Sequence, residues 1–153
     1  MDRGQKSYLR KDDENLESMQ FNEAAAIYHR SPDTAIRLSR MGVEPEFVVD
    51  LMDAYRFSKQ EASYLANIST KTLDRHLQSG KSFKGLQSDR FLELAELMHQ
   101  GVNTFGSKEK FVQWLNSKIP ALNNAMPREW LDTHKGIELI EDELGRIRHG
   151  IFA

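Results

Sequence analysis

The sequence predicts an all-α fold, and three observations carry the assignment. Apolar residues recur at three- and four-residue steps, and no stretch alternates at period two. Prolines fall where helices begin and glycines where they end, as at Pro32, Gly42, Pro45 and Gly80. No Asn-Gly or Asp-Gly pair marks a hairpin.

Each element follows in order. Residues 1–15 are polar and read as a mobile arm. Leu16, Met19, Ala24, Ile27 and Tyr28 give residues 14–30 a helical apolar period. Ser31 can cap a short helix that opens at Pro32 and stops at Gly42. A helix over 44–55 places Phe47, Val48, Leu51, Met52 and Tyr55 on one face. The stretch 86–102, with Phe91, Leu94, Ala95, Met98 and Val102, is long enough to be the spine of the core. Residues 107–116 add Phe111, Trp114 and Leu115. Pro120, Asn123-Asn124 and Pro127 make 118–128 an ordered loop, dividing a core of 30–117 from a C-terminal element of 128–153. In that element Thr133 can cap a last helix with a seam of Ile137, Ile140, Leu144 and Ile147.

Composition narrows the function. The chain has 153 residues, no cysteine and a net charge of −2, which excludes disulfides, thiol nucleophiles and cysteine-ligated metals. Its 37 Leu, Ile, Val and Phe residues exceed the roughly 20% below which disorder is expected. Without a membrane-length apolar run or an apolar signal region near Met1–Arg10, the chain is expected to be soluble and cytoplasmic. Charge is uneven: residues 54–90 hold seven basic side chains against three acidic ones, the only net-basic block.

That block contains a helix-turn-helix pattern. Ser58 and Glu61 form a capping box, Ala62, Ser63 and Ala66 are small enough for a close helix crossing, and Asn67 suits a left-handed turn. Ser69 can cap the second helix, with Ile68, Leu73 and Leu77 pointing inward. Such a second helix enters the DNA major groove. Thr70, Lys71 and Arg75 then face outward to bases or phosphates, with Ser69 and Thr72 beside them, while Lys59 and Gln60 pin the backbone. Two packed helices with a capped corner would show much of the same pattern. Asp74 on the outward face and His76 at an apolar position run against DNA binding. A reader of this type works as a two-fold dimer, for which the 86–102 helix and the Phe47/Leu51 face are the expected surfaces.

Five motifs in register resemble the Xre/MbcA/ParS group of Xre-type antitoxins. They are Ile68–Arg75, Ser88-Asp89-Arg90, Phe105-Gly106 with Trp114-Leu115, Trp130–Gly136 and Gly145–Phe152, together spanning about 38–153. Departures are Asn67 in place of Gly, His76 in place of a second Arg, and Asn123-Asn124 in a loop that is usually Gly-rich. The resemblance implies an antitoxin of a type II system that neutralises a RES-domain, NAD-consuming toxin and represses its own operon. It implies a leading segment of 1–30, a helix-turn-helix domain of 31–85 and a helical toxin-binding domain of 86–153. Toxin contacts then fall on Trp130, Arg146, Arg148, His149, Gly150, Ile151, Phe152 and Ala153. A basic helix end with an apolar tip suits a pocket built for an anionic dinucleotide, and packing of Ile151 and Phe152 on the chain's own core is the competing expectation. The alternative function is an adaptor or regulator without a toxin partner.

Other signals carry little. Gly80-Lys81-Ser82 lacks the upstream glycine and strand of a phosphate-binding loop, and Gly80 is explained as a helix stop. The five histidines show no metal-ligand spacing, and no nucleophile–base set has positional support. No enzyme, cofactor or metal is expected.

Overall fold

The computed structural model describes residues 31–150; the expected arm and helix of 1–30, and Ile151, Phe152 and Ala153, lie outside them. Local chemistry sets each helix boundary. Ser31 accepts the amide of Thr34 at 3.3 Å and starts α1 (Pro32–Met41), which Gly42 ends at φ 90°. Helix α2 (Pro45–Tyr55) closes on Arg56 at φ 58°. Then come α3 (Lys59–Leu65), α4 (Thr70–Ser79), α5 (Leu86–Phe105), α6 (Lys108–Leu115) and α7 (His134–Arg148). Short 3-10 turns at Pro120–Leu122 and Pro127–Trp130 fill the connection before α7. Among the described residues the fold is all-α, with isolated bridges Val43–Phe83 and Ile119–Ala125 as its extended pairings.

Helix α5 is the spine. Phe91, Leu92, Leu94, Ala95, Leu97 and Met98 are buried on several of its sides, and α1, α2, α6 and α7 all pack on it. One apolar core therefore runs from Leu38 to Leu144. Two sequence expectations need correcting. The spine is nearly a turn longer than 86–102, because Asn103, Thr104 and Phe105 continue the helix until Gly106 ends it at φ 83°. The Phe47/Leu51 face is not available to a second copy: both side chains are buried in this chain's own core, as are most apolar residues of α5.

Gly101 explains how α6 comes so close to the spine. A Cβ built there would lie 2.3 Å from the Phe111 ring, which is wholly buried. Gly101→Ala adds helix propensity of about 1 kcal/mol but overpacks this contact at a cost of about 1–3 kcal/mol. Thermal unfolding of Gly101→Ala should show Tm reduced by up to about 8 °C. An increase would show that the ring yields freely.

Candidate nucleic-acid and partner interfaces

Helices α3 and α4 form a tight pair. The Ser58 side chain accepts the Glu61 amide at 3.1 Å, and Glu61 returns the bond to the Ser58 amide at 2.8 Å, so α3 starts on a closed capping box. Ala62, Ser63 and Ala66 are buried at the crossing. Asn67 takes φ 57° in the turn, where a short polar side chain is the best non-glycine choice. Ser69 then caps α4, accepting the Thr72 amide at 3.0 Å while its hydroxyl donates to Thr72 Oγ1 at 2.9 Å. Leu73 is fully buried, and Ile68 and Leu77 pack half-buried beside it.

The outward face holds Gln60, Thr70, Lys71 and Arg75, all exposed. Ser69 and Thr72 are engaged with one another in the cap, and Lys59 has a partner within the pair. Its Nζ lies 2.5 Å from Asp74 Oδ1, both side chains remaining roughly half exposed. The acid on the outward face is thereby matched by an intramolecular cation. His76 is accommodated by stacking on Phe83, with ring centroids 4.4 Å apart, and its Nδ1–H donates to the Lys81 carbonyl at 3.0 Å.

The second surface is the C-terminal unit. Thr133 caps α7 by accepting the Gly136 amide at 2.9 Å. Gly136 sits where a Cβ would meet the Trp130 carbonyl at 2.0 Å, so the helix start and the preceding turn pack backbone to backbone. Ile137, Ile140 and Leu144 are buried and Ile147 is half-buried, as the seam requires. Trp130 is half-buried against the core. Arg146, Arg148 and His149 are exposed at the far end of α7, where Arg146 pairs with Glu143 at 3.1 Å, and Gly150 follows at φ 69°.

Two arginines that carried no site assignment in the sequence join these surfaces. Arg90 Nε donates to the Leu65 carbonyl at the end of α3 (3.0 Å), Nη2 donates to the Leu131 carbonyl (2.6 Å), and Nη1 pairs with Glu93 at 2.7 Å. Arg128 reaches the other end of α3. It donates to Glu61 Oε1 from Nε (3.1 Å) and Nη2 (2.9 Å), and to the carbonyls of Tyr55 (3.0 Å) and Arg56 (3.2 Å). Its guanidinium lies 4.9 Å from the Phe57 ring centre. Burial pushes the Glu61 carboxyl up, but the Ser58 amide and Arg128 outweigh it and hold it below the ordinary value. Arg90 had a signal in the Ser88-Asp89-Arg90 motif; Arg128 had none.

Glu93 also accepts from His134 Nδ1 at the start of α7, and this bond, with Glu93's charge, raises the His134 pKa above the ordinary 6.5. A raised folded-state pKa means that the protonated form is favoured by folding. That contribution is complete below about pH 6.5 and is lost as pH rises through the higher folded value. By NMR, His134 is expected to titrate above 6.5 in the native chain and to move down in Glu93→Gln. Equal midpoints in the two proteins would remove Glu93 as the cause.

Comparison with known proteins locates the C-terminal unit. Residues 100–150 match the antitoxin Xre/MbcA/ParS C-terminal toxin-binding domain. An "Antitoxin Xre" of Photorhabdus laumondii is 29% identical over 109 residues, covering 70% of this chain and 74% of the relative. An "Antitoxin Xre" of Yersinia enterocolitica is 28% identical over 112 residues, covering 70% and 76%. Three of the five motifs that resemble this group lie wholly or partly within the matched segment, and the capped α7 with its buried seam lies wholly inside it. Over residues 100–150 the chain is thus similar to the toxin-binding domain of the Xre/MbcA/ParS antitoxins, and over 70% of its length to the two Xre antitoxins.

Proposed function

We propose that this chain is the antitoxin of a type II pair, which binds and neutralises a RES-domain, NAD-consuming toxin and represses its own operon. The observation that carries the reading is the toxin-binding match over 100–150. In it, the exposed end of α7 with Arg146, Arg148, His149 and Gly150, continued by Ile151, Phe152 and Ala153, meets the toxin, with Trp130 supporting that surface from the core side. A basic helix end is suited to a site that holds an anionic dinucleotide. The protein acts by binding and needs no catalytic residue, cofactor or metal of its own. Among the described residues no helix is long and apolar enough to cross a membrane, and we place the protein in the cytoplasm with its partner.

DNA is contacted by the α3–α4 pair. Thr70, Lys71 and Arg75 lie on the exposed side of the first turns of α4, where a recognition helix presents base contacts. Gln60, with Lys59 at the edge of its pair with Asp74, meets the phosphate backbone, and Ser69 and Thr72 hold the entry geometry. The functional units are then a leading segment of 1–30, a DNA-reading unit of 31–85 and a toxin-binding unit of 86–153, with 31–144 built on one continuous core. The protein reads its operator as a homodimer, through surfaces other than the buried Phe47/Leu51 face.

A second reading, an adaptor without DNA binding, is favoured by one observation: the Lys59–Asp74 pair takes a cation out of an already small basic surface. A gel shift on the DNA upstream of the chain's own reading frame, across a salt series, separates the two. Repression through α4 is expected to give a steep loss of affinity with salt, each lost phosphate contact reducing the log–log slope by about 0.9. Lys71→Ala with Arg75→Ala should weaken binding at least tenfold and flatten that slope by about 1–2. Wild-type binding that the double substitution leaves unchanged would contradict the assignment of α4.

A further inference from the structure

We infer that Arg128, from within the toxin-binding domain, is a positioning residue for the DNA-contacting helix pair and acts through Glu61; this rests on the reading of α3–α4 as the DNA surface. The geometry points this way because one guanidinium joins the end of α2 to the carboxylate that caps the start of α3. Two of its bonds go to the carbonyls of Tyr55 and Arg56, which end α2, and two go to the carboxylate that closes the α3 capping box. Arg56 itself adopts φ 58° at this corner, a conformation that a non-glycine side chain holds only when its surroundings fix it.

The division of labour at Glu61 is explicit. Oε2 accepts the Ser58 amide, and Oε1 accepts both donors of Arg128. A capping box alone would hold the carboxylate by one exposed bond; here it is clamped from the opposite side by a side chain only 19% exposed. At the other end of α3, Arg90 of α5 joins the Leu65 carbonyl to the Leu131 carbonyl, so the segment around Trp130 is tied to one terminus of the helix through Arg128 and to the other through Arg90. Helix α4 packs on α3 across the Ala62/Ala66 crossing. The orientation of Thr70, Lys71 and Arg75 is thus inherited from α3, and α3 takes its placement from the C-terminal unit.

None of the α4 contacts is made by Arg128, so its loss is distinguishable from loss of a phosphate contact. The test uses the full chain as wild type, Arg128→Gln, Arg128→Lys, Glu61→Gln and the Arg128→Gln/Glu61→Gln pair. Binding to a duplex of the sequence upstream of the chain's own reading frame and amide hydrogen exchange are both measured. Arg128→Gln should weaken binding about tenfold, as expected for loss of a charge-assisted bond, without changing the salt slope, because no phosphate contact is lost. The paired variant should be no weaker than Arg128→Gln alone, and Arg128→Lys should recover part of the loss. Exchange should quicken at amides 58–73 and stay unchanged at 137–144. A changed salt slope, additive effects of the two substitutions, or unchanged exchange at 58–73 would each overturn the inference. So would uniformly faster exchange throughout, which would mark a general stabiliser. If the wild-type chain does not bind the duplex, the DNA reading fails while the exchange pattern still decides the positioning role; Glu61→Gln supplies that pattern if Arg128→Gln does not fold.

Discussion

The Arg90 guanidinium is the interaction on which the arrangement of the two surfaces depends. It leaves the first turns of α5 and ties together the last carbonyl of α3, the carbonyl of Leu131 before α7, and Glu93 on its own helix. Charge-assisted hydrogen bonds contribute about 1.5–3 kcal/mol each, and a carbonyl left unmet at these half-buried sites would carry its desolvation cost besides. The neighbouring residues extend the same junction: Ser88 donates to the carbonyls of Ser39 and Gly85, and Asp89 accepts from the Ser39 hydroxyl. Three consecutive residues thus fasten α1, α3 and the α7 approach to the start of the spine. Glu93 passes the connection on to His134, making the first turn of α7 part of the same polar cluster.

Around that junction the protein relies on apolar packing that tolerates little change. The buried faces of α5 serve four neighbouring helices, and two glycines bring backbones and rings closer than any side chain would permit, Gly101 at Phe111 and Gly136 at the Trp130 carbonyl. The turn at Asn123-Asn124 meets the same demand for positive φ with asparagines, at 57° and 60°. Asn67 does so between α3 and α4. Departures from a glycine-rich pattern at these positions are therefore conservative in backbone terms. His76 is absorbed likewise, by stacking on Phe83 where an apolar side chain was expected.

What the sequence made legible was local. The caps at Ser31, Ser58, Ser69 and Thr133 all form within three residues, and the structure shows each bond. The α7 seam was readable for the same reason, since its period lies within one helix. The bonds of Arg128 to Glu61 cross 67 positions, and those of Arg90 to Leu131 cross 41. A guanidinium reaching a backbone carbonyl leaves no periodic trace, so these contacts could be found only in three dimensions. The Lys59–Asp74 pair was hidden similarly: both charges were noted, but the turn at Asn67 had to be folded before they met. An apolar face reads the same whether it meets its own core or a second copy, which is why Phe47 and Leu51 were expected at a dimer interface.

The central proposal is that the end of α7 blocks a NAD-consuming partner. It is tested most directly by expressing the product of the adjacent gene alone, with the full chain, and with a chain lacking residues 150–153, while cellular NAD is measured. The account predicts that NAD falls with the neighbour alone and is restored by the full chain. The shortened chain should restore it poorly, although its melting temperature stays close to that of the full chain. Burial of Ile151 and Phe152 at about 1.5–3 kcal/mol each would correspond to about one to two orders of magnitude in affinity per residue. Full restoration of NAD by a shortened chain that melts several degrees lower would contradict the account and assign those residues to this protein's own core.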